Sequence, residues 1–386
     1  MLFCNQKNTN RRNKMQCRER NLSLDLYRVL CMFLITFLHA VGYTNAQGEL
    51  DYNHYNFYLV TVLSVLQRIS ITGFTLISAY FLIDSTSTMK KILSFWIQLV
   101  VYSLIIWLCT CAVRPEAFTF KLAIKSAFPV LTYHYWYPVS YLILLLFAPV
   151  LNKMIRALSQ RELLAVVGLL GFFVSVFFQL NPCTEAQMIV GHPSHGLIWF
   201  ILLYCIAGYL KLYGLRRPVL AAGVVFAFSG VLLVMLYVAA SVAYTHPEGV
   251  HPLILTFFRK VDLMSYNSVL PLLLSVSSFV LFLHWKLPAG KWMSRAGAFL
   301  APTVFGVYLI QEHNAVREAL WRFVNLNRWA RTPWLVPMIV VVFLGLWLGS
   351  MVVYLLYRLA HKLFLGRLEE ALLPLKWRRK PQATEK

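Results

Sequence analysis

The chain has 386 residues, of which 59% are hydrophobic and only 13% are charged. Soluble globular proteins carry about 25% charged residues, so this composition excludes a soluble fold and indicates an integral membrane protein. The formal net charge of +21 would suggest nucleic-acid binding in a soluble protein. Here the basic residues concentrate in alternate loops, as in membrane proteins, and we therefore expect no nucleic-acid partner.

Ten apolar segments, each about long enough to cross a bilayer, predict an all-α polytopic transmembrane helix bundle. Pro138 interrupts the fourth segment, and charged residues dilute the ninth. The segments lie at residues 22–42, 57–83, 92–113, 131–151, 163–180, 195–213, 219–243, 266–284, 299–321 and 334–357.

The distribution of basic residues predicts the orientation of this bundle. If the N-terminus is cytoplasmic, the inner segments hold 25 of the 36 Lys and Arg residues and the outer segments hold 8. The positive-inside rule then places both termini in the cytoplasm. We expect three parts: a cytoplasmic basic segment (1–21), a transmembrane domain (22–365) and a basic cytoplasmic tail (366–386) that contacts anionic membrane lipids.

The first apolar segment carries a polar stripe. Ten residues separate Arg28 from His39, which places the two side chains within roughly 20° of each other and about 16 Å apart along a helix. Asp25 falls in the same sector. An Arg inside a bilayer costs roughly 2.5–3.5 kcal/mol on insertion scales, so it normally faces a protein interior or a wet cavity and marks a functional site.

Four stretches of the outer loops are rich in Tyr, His, Asn, Pro and Gly and contain no Lys or Arg. Such loops suit contact with a neutral polyol such as a sugar, although aromatic residues also form interfacial belts in membrane proteins. Both readings remain open. The four loop sequences are YTNAQGELDYNHYN, TYHYWYP, NPCTEAQMIVGHPSHG and YTHPEGVHP. The seven cysteines form no CxxC pair, so the sequence predicts no metal site.

The stretch LDLYRVLCMFLITFLH, with Asp25, Arg28 and His39, resembles the first-helix signature of the membrane acyltransferase-3 family. Four further stretches are similar to the branch that O-acetylates bacterial surface glycans. They are RISITGFTLISAYFLI, YWYPVSYLILLLFAPVLNKMI, WFILLYCIAGYLKLYG and FGVYLIQEHNAVREALW. The resemblance implies an O-acetyltransferase in the bacterial cell membrane. The resemblance also implies that such an enzyme uses acetyl-CoA as a donor substrate, without a bound cofactor, and a glycan or lipid-linked sugar as acceptor.

Two positions depart from the family pattern. Ala79 replaces a glycine that is common in the second-helix motif, and Gln311 replaces a histidine that is common in the ninth helix. The second departure puts a catalytic role for the ninth helix in question, and it keeps a homologue without activity among the alternatives.

The resemblance gives the first-helix residues specific roles. His39 would act as a general base on an acceptor hydroxyl or as a transient acyl carrier. Alternatively, it is an interfacial histidine bonded to a backbone carbonyl. Arg28 would bind the anionic acyl-CoA donor or polarise its thioester. Alternatively, it snorkels to the lipid headgroups and pairs with Asp25.

Asp25 and three further residues are candidates for donor binding or support. Arg68 lies within the second segment without a sequence neighbour of opposite charge, so structural pairing and ligand binding are equally open. Glu312 and His313, with Arg317, form a polar patch predicted within the ninth helix. Glu312 would orient His39 only if the first and ninth helices touch. If Arg28, Arg68, His39 and Glu312 line one cavity, they form a polar passage across the bilayer.

The main alternative function is a secondary transporter or glycan exporter with an intramembrane polar site. Transporters often contain repeated halves and paired helices broken by Gly or Pro. Neither feature is evident in this sequence, and an acyltransferase is therefore favoured.

Overall fold

The computed structural model describes residues 21–85, 88–177, 179, 196–287 and 290–372. The basic N-terminal segment, most of the basic tail and the predicted outer loop at 181–194 lie outside these residues. The described residues are 81% helical and contain no strand, which confirms the predicted all-α class.

A helix lies at each of the ten predicted segments. Eight stretches are long and apolar enough to span a membrane, while α8 and α11, with 16 residues each, are shorter. The helices in the first part are α1 (Leu22–Thr44), α2 (Tyr55–Leu66), α3 (Ile69–Leu82), α4 (Thr88–Val113), α5 (Phe120–Ala127), α6 (Trp136–Ala157), α7 (Gln160–Phe172) and α8 (Leu197–Leu212). The others are α9 (Pro218–Thr245), α10 (Pro252–Lys260), α11 (Val269–His284), α12 (Lys291–Glu312), α13 (Arg317–Val324), α14 (Leu335–Ala360) and α15 (Gly366–Leu372).

Two ends of the bundle are distinguished here by the direction of α1. The basal end contains the start of α1, and the apical end contains its last turn. At the start, the Asn21 side chain accepts a hydrogen bond from the Leu24 N–H at 3.2 Å. At the finish, Asn45 adopts a left-handed conformation with φ 55°, which is a common way to end a helix.

The fourth predicted segment is displaced in the structure. We expected a helix over residues 131–151, but α6 begins at Trp136 because Tyr133 has a φ of 51° that ends the preceding turn. Pro138 lies in the first turn of α6, where a backbone N–H has no intrahelical acceptor. A proline is tolerated there, so it does not break the helix.

The second and ninth predicted segments are each divided. The second forms α2 and α3, which join at Gln67 and Arg68. Both junction residues keep right-handed helical angles, and Tyr55–Leu82 forms one stretch of membrane-spanning length. The ninth ends at Glu312, and Arg317 begins the separate helix α13. The expected i, i+4 relation of His313 and Arg317 on one helix is therefore wrong. The His313 ring accepts a hydrogen bond from the Ala315 N–H at 3.1 Å and stabilises the turn.

Helix α1 packs inside the bundle against α3 and α12. Gly73 permits the close approach of α3, because a Cβ at this position would lie 2.6 Å from the Tyr27 hydroxyl. Helix α9, in contrast, exposes a run of large apolar side chains. In water such a surface would aggregate, so it indicates contact with lipid. These side chains are Val219, Leu220, Val224, Phe228, Val231 and Met235.

Candidate active site

The centre of the candidate site is a histidine–carboxylate pair between α1 and α12. His39 Nδ1 lies 3.4 Å from Glu312 Oε1. Both side chains are largely buried, with exposed fractions of 15% for His39 and 10% for Glu312. The contact that the sequence left open, between the first and ninth predicted segments, is thus present and joins these two side chains.

Glu312 has two further partners. The Tyr43 hydroxyl lies one turn beyond His39 on α1 and donates to the carboxylate at 3.0 and 3.3 Å. The Arg317 Nη1 atom lies 3.5 Å from Glu312 Oε2. The Arg317 guanidinium also lies 5.5 Å from the centre of the Tyr43 ring, within cation–π range. Paired and hydrogen-bonded in this way, the carboxylate can remain charged inside the protein.

Several polar atoms around His39 are buried without a hydrogen-bond partner among the described residues. They are His39 Nδ1, the Tyr308 hydroxyl and both polar atoms of the Gln311 side chain. The Tyr308 and His39 rings have centroids 6.4 Å apart, and the Gln311 amide lies next to His39. Buried polar groups are normally satisfied in native proteins, so a concentration of unsatisfied ones indicates a place for water or ligand.

Arg28 lies about three turns nearer the basal end. Its Nη1 atom pairs with Asp25 Oδ1 at 2.6 Å, and its guanidinium lies 5.8 Å from the centre of the Phe81 ring on α3. Between Arg28 and His39 on the same stripe, Met32 and Ile35 are buried in protein contacts. The stripe therefore faces the bundle interior and not lipid.

His313 has a structural environment. Its Nδ1 accepts from the Ala315 N–H, and its Nε2 donates to the Ser103 carbonyl at 3.1 Å. These bonds tie the end of α12 to α4. Burial and the nearby His134 lower the pKa of His313 to about 3, and burial lowers the pKa of His134 to about 4. Both rings therefore stay neutral at physiological pH.

Arg68 lies in a different place from the other candidates. It lines a cavity of about 150 Å³ between α1, α2 and α9. The lining residues do not include Arg28, His39 or Glu312. The structure therefore does not place Arg68 in one cavity with the other three residues.

Sequence reasoning did not place three residues at the site, namely Tyr43, Tyr308 and Gln311, which is a neighbour of His39. Two of them had a signal. Tyr43 follows His39 by four residues, and Tyr308 precedes Glu312 by four, so each shares a helix face with a candidate. The closeness of Gln311 to His39 depends on how α12 packs against α1, which no local pattern determines.

A histidine–carboxylate pair thus lies between two helices of a bundle that contains eight apolar stretches of membrane-spanning length. A family model described as an acyltransferase domain matches residues 21–358 of the chain. The chain therefore belongs to the membrane acyltransferase-3 family, and it is a multi-pass membrane acyltransferase. Searches of curated proteins and of solved structures gave no match.

Proposed function

We propose that this protein transfers an acetyl group from cytosolic acetyl-CoA to a hydroxyl of a surface or exported glycan in the bacterial cell membrane. The family membership supports O-acyl transfer. The pair formed by His39 and Glu312, at 3.4 Å, carries the proposal. The two atoms are not hydrogen-bonded at this distance, but the contact places a carboxylate beside one ring nitrogen of a histidine, which suits general-base activation of a hydroxyl.

The proposed reaction uses this pair directly. With a proton on Nδ1 directed to Glu312, the Nε2 atom of His39 is free to accept the proton of the acceptor hydroxyl. The hydroxyl oxygen attacks the thioester carbonyl carbon, a C–O bond forms and the C–S bond breaks. The proton held by His39 then passes to the departing thiolate, which leaves as coenzyme A. Glu312 stabilises the imidazolium between these steps, as the carboxylate of other catalytic triads does.

Arg28 has a proposed role at the basal end of the same stripe. An arginine binds phosphate through several parallel hydrogen bonds, which suits the anionic part of coenzyme A. Its side chain is 27% exposed at this end of the bundle. The acyl end of the donor would then extend toward His39 past Met32 and Ile35, and a flexible Met side chain can move to admit it.

Acyl transfer by the purified full-length protein tests this function. We expect labelled acetyl-CoA to acetylate an added glycan acceptor and expect His39→Ala to lower the rate by about 100-fold or more, the usual contribution of a general base. His284→Ala is the matched control, because His284 Nδ1 contacts only the Val280 carbonyl of its own helix. Equal rates for His39→Ala and wild type would contradict the proposal.

The direction of transfer is tested in oriented vesicles. Labelled acetyl-CoA supplied on the cytoplasmic face should label an acceptor enclosed on the opposite face. Labelling of acceptor on the cytoplasmic face alone would contradict transfer across the membrane. Movement of unmodified glycan without acetylation would instead support an exporter.

A further inference from the structure

The cavity beside Arg68 is a second polar site that the proposed reaction does not use. Asn45 and Gln47 lie just beyond α1 and line it, so the cavity reaches the apical end of the bundle. Tyr237 lines the opposite side from α9, and the Gln47 side-chain amide donates to its hydroxyl. The site is therefore built from three separate parts of the chain.

Arg68 brings an uncompensated positive charge to this cavity. Its guanidinium makes no ion pair or hydrogen bond with any residue that the structure describes, and its buried Nε atom has no acceptor. The nearest aromatic neighbour is Tyr266, whose ring centre lies 5.4 Å away. A cation held in a partly buried position without a carboxylate is costly, and it binds an anion readily.

Gln67 adds a second unsatisfied group to the same cavity. Its side chain is 0% exposed, and its Oε1 atom has no hydrogen-bond partner. Its Nε2 atom bonds to the Tyr266 hydroxyl and to Ser70, so only one end of the amide is used. A ligand that offers a hydroxyl beside an anionic group would satisfy both Gln67 and Arg68.

The cavity lies on another side of α1 from the reaction site. Phe37, Leu38 and Val41, which line it, lie about 100–160° around the helix from His39, and Gly42 lies about 60° from it. Its volume of about 150 Å³ accommodates one small charged group and is too small to enclose the nucleotide of coenzyme A. A small anionic group of the acceptor therefore fits it better than the whole donor.

We infer that the Arg68 cavity binds an oxyanion, a carboxylate or a phosphate ester, carried by the sugar acceptor near its reacting hydroxyl. This inference rests on the proposed function, because it deepens the description of the acceptor from a glycan to an acidic glycan. Arg68 supplies the positive charge, and Gln67 and Tyr237 supply neutral polar groups for neighbouring hydroxyls. The site would hold the acceptor at the apical end while His39 activates a different part of the same molecule.

Binding of small sugars to the purified full-length protein tests the inference without relying on catalysis. The probes are glucuronate, glucose 1-phosphate and glucose, which share a ring and differ in charge. We expect one or both of the anionic sugars to raise the Tm by a few degrees and glucose to leave it unchanged, since a ligand stabilises the state that it binds. The anionic probe that gives the larger shift identifies the oxyanion. Equal shifts with all three sugars, or none with any, would overturn the inference.

Two variants connect binding to the cavity. Arg68→Gln should abolish the shift, while Arg322→Gln should keep it, because Arg322 is an exposed residue paired with Glu318 elsewhere at the apical end. Gly42 lines the cavity, and a Cβ there would meet nothing within 4 Å. Gly42→Leu should therefore fill the site and abolish the shift without a backbone clash, and Gly42→Ala should retain most of it. A shift that survives both Arg68→Gln and Gly42→Leu would contradict the site.

Activity measurements separate this inference from the proposed function. If the protein binds glucuronate through Arg68 but acetylates no acceptor, the proposed function fails and the anion site stands. If it acetylates neutral and acidic acceptors with the same KM, and Arg68→Gln leaves both KM values unchanged, the function stands and the anion site is wrong.

Discussion

Helix α1 separates two polar regions, one in which the charged group is paired and one in which it is not. Around His39, the carboxylate of Glu312 meets Tyr43 at 3.0 Å and Arg317 at 3.5 Å, so its charge is compensated. Beside Arg68, no described carboxylate compensates the guanidinium. Because a buried charge is costly unless it is paired, the first region suits the reaction that we propose. The second region suits the anionic ligand that we infer, because that ligand would supply the missing charge.

The largest expected effect comes from breaking the paired region at its carboxylate. Glu312→Gln keeps the shape of the side chain but removes the charge that stabilises protonated His39. We expect kcat to fall by about 100-fold with little change in KM, since the loss concerns the proton-transfer step. Glu318→Gln is the control, because Glu318 is exposed and pairs only with Arg322. A kcat that stays within a few-fold of wild type would show that Glu312 does not serve His39.

A double-mutant cycle measures how strongly Arg317 and Glu312 are coupled in the paired region. Arg317 is partly exposed, with an exposed side-chain fraction of 42%, so its pairing with Glu312 is screened by solvent. We expect Arg317→Gln alone to lower kcat about fivefold, which corresponds to about 1 kcal/mol of coupling. In the absence of Glu312 the same change should have no effect, so the double variant should match Glu312→Gln. Fully additive losses would show that the two residues act independently.

Thermal unfolding compares the paired and unpaired arginines directly. Arg68→Met removes a cation that pairs with no described carboxylate and keeps most of the apolar volume of the side chain, so we expect the Tm of the ligand-free protein to rise by a few degrees. Arg28→Met should lower the Tm, since it removes the partner at 2.6 Å from the largely buried Asp25. A lower Tm for both variants would indicate that Arg68 stabilises the ligand-free fold, which would contradict an unpaired, destabilising charge at this position. A stabilised but less active Arg68 variant would fit the general conflict between stability and function.

The smallest expected effect is a dependence of stability on pH near the apical end. The pKa values of His313 and His134 are lowered to about 3 and about 4 by burial. Between the ordinary histidine pKa of about 6.5 and these values, the unfolded chain binds protons that the folded chain does not. Stability should therefore be unaffected above this range and decrease as the pH falls through it.

Melting curves at pH 7 and pH 5 test this dependence against a variant. In His313→Gln, an amide replaces the group that must stay neutral, so the decrease in Tm from pH 7 to pH 5 should be smaller than in wild type. The variant should also melt at a lower temperature at pH 7, because the bond to the Ser103 carbonyl is altered. An identical pH dependence in both proteins would exclude His313 as its source.

The sequence by itself determined the membrane class and the approximate position of each helix. Both follow from local properties, because a segment must satisfy its backbone hydrogen bonds internally and present an apolar surface to lipid. The shared sector of Arg28 and His39 follows from helix geometry alone. The end of the ninth helix does not follow from local properties. His313, where the helix stops, hydrogen-bonds to Ser103, which is 210 residues away in the chain.

Only the tertiary structure decided which polar residues meet. Glu312 reaches His39 because α12 packs against α1, whereas Arg68 lines a different cavity, which Tyr237 of α9 also lines. The sequence of a single chain shows which residues carry charge, and it predicts how deep each residue lies in the membrane. It does not show the rotation of one helix against another, which is set by side-chain packing along the whole interface, such as the contact of Gly73 with Tyr27.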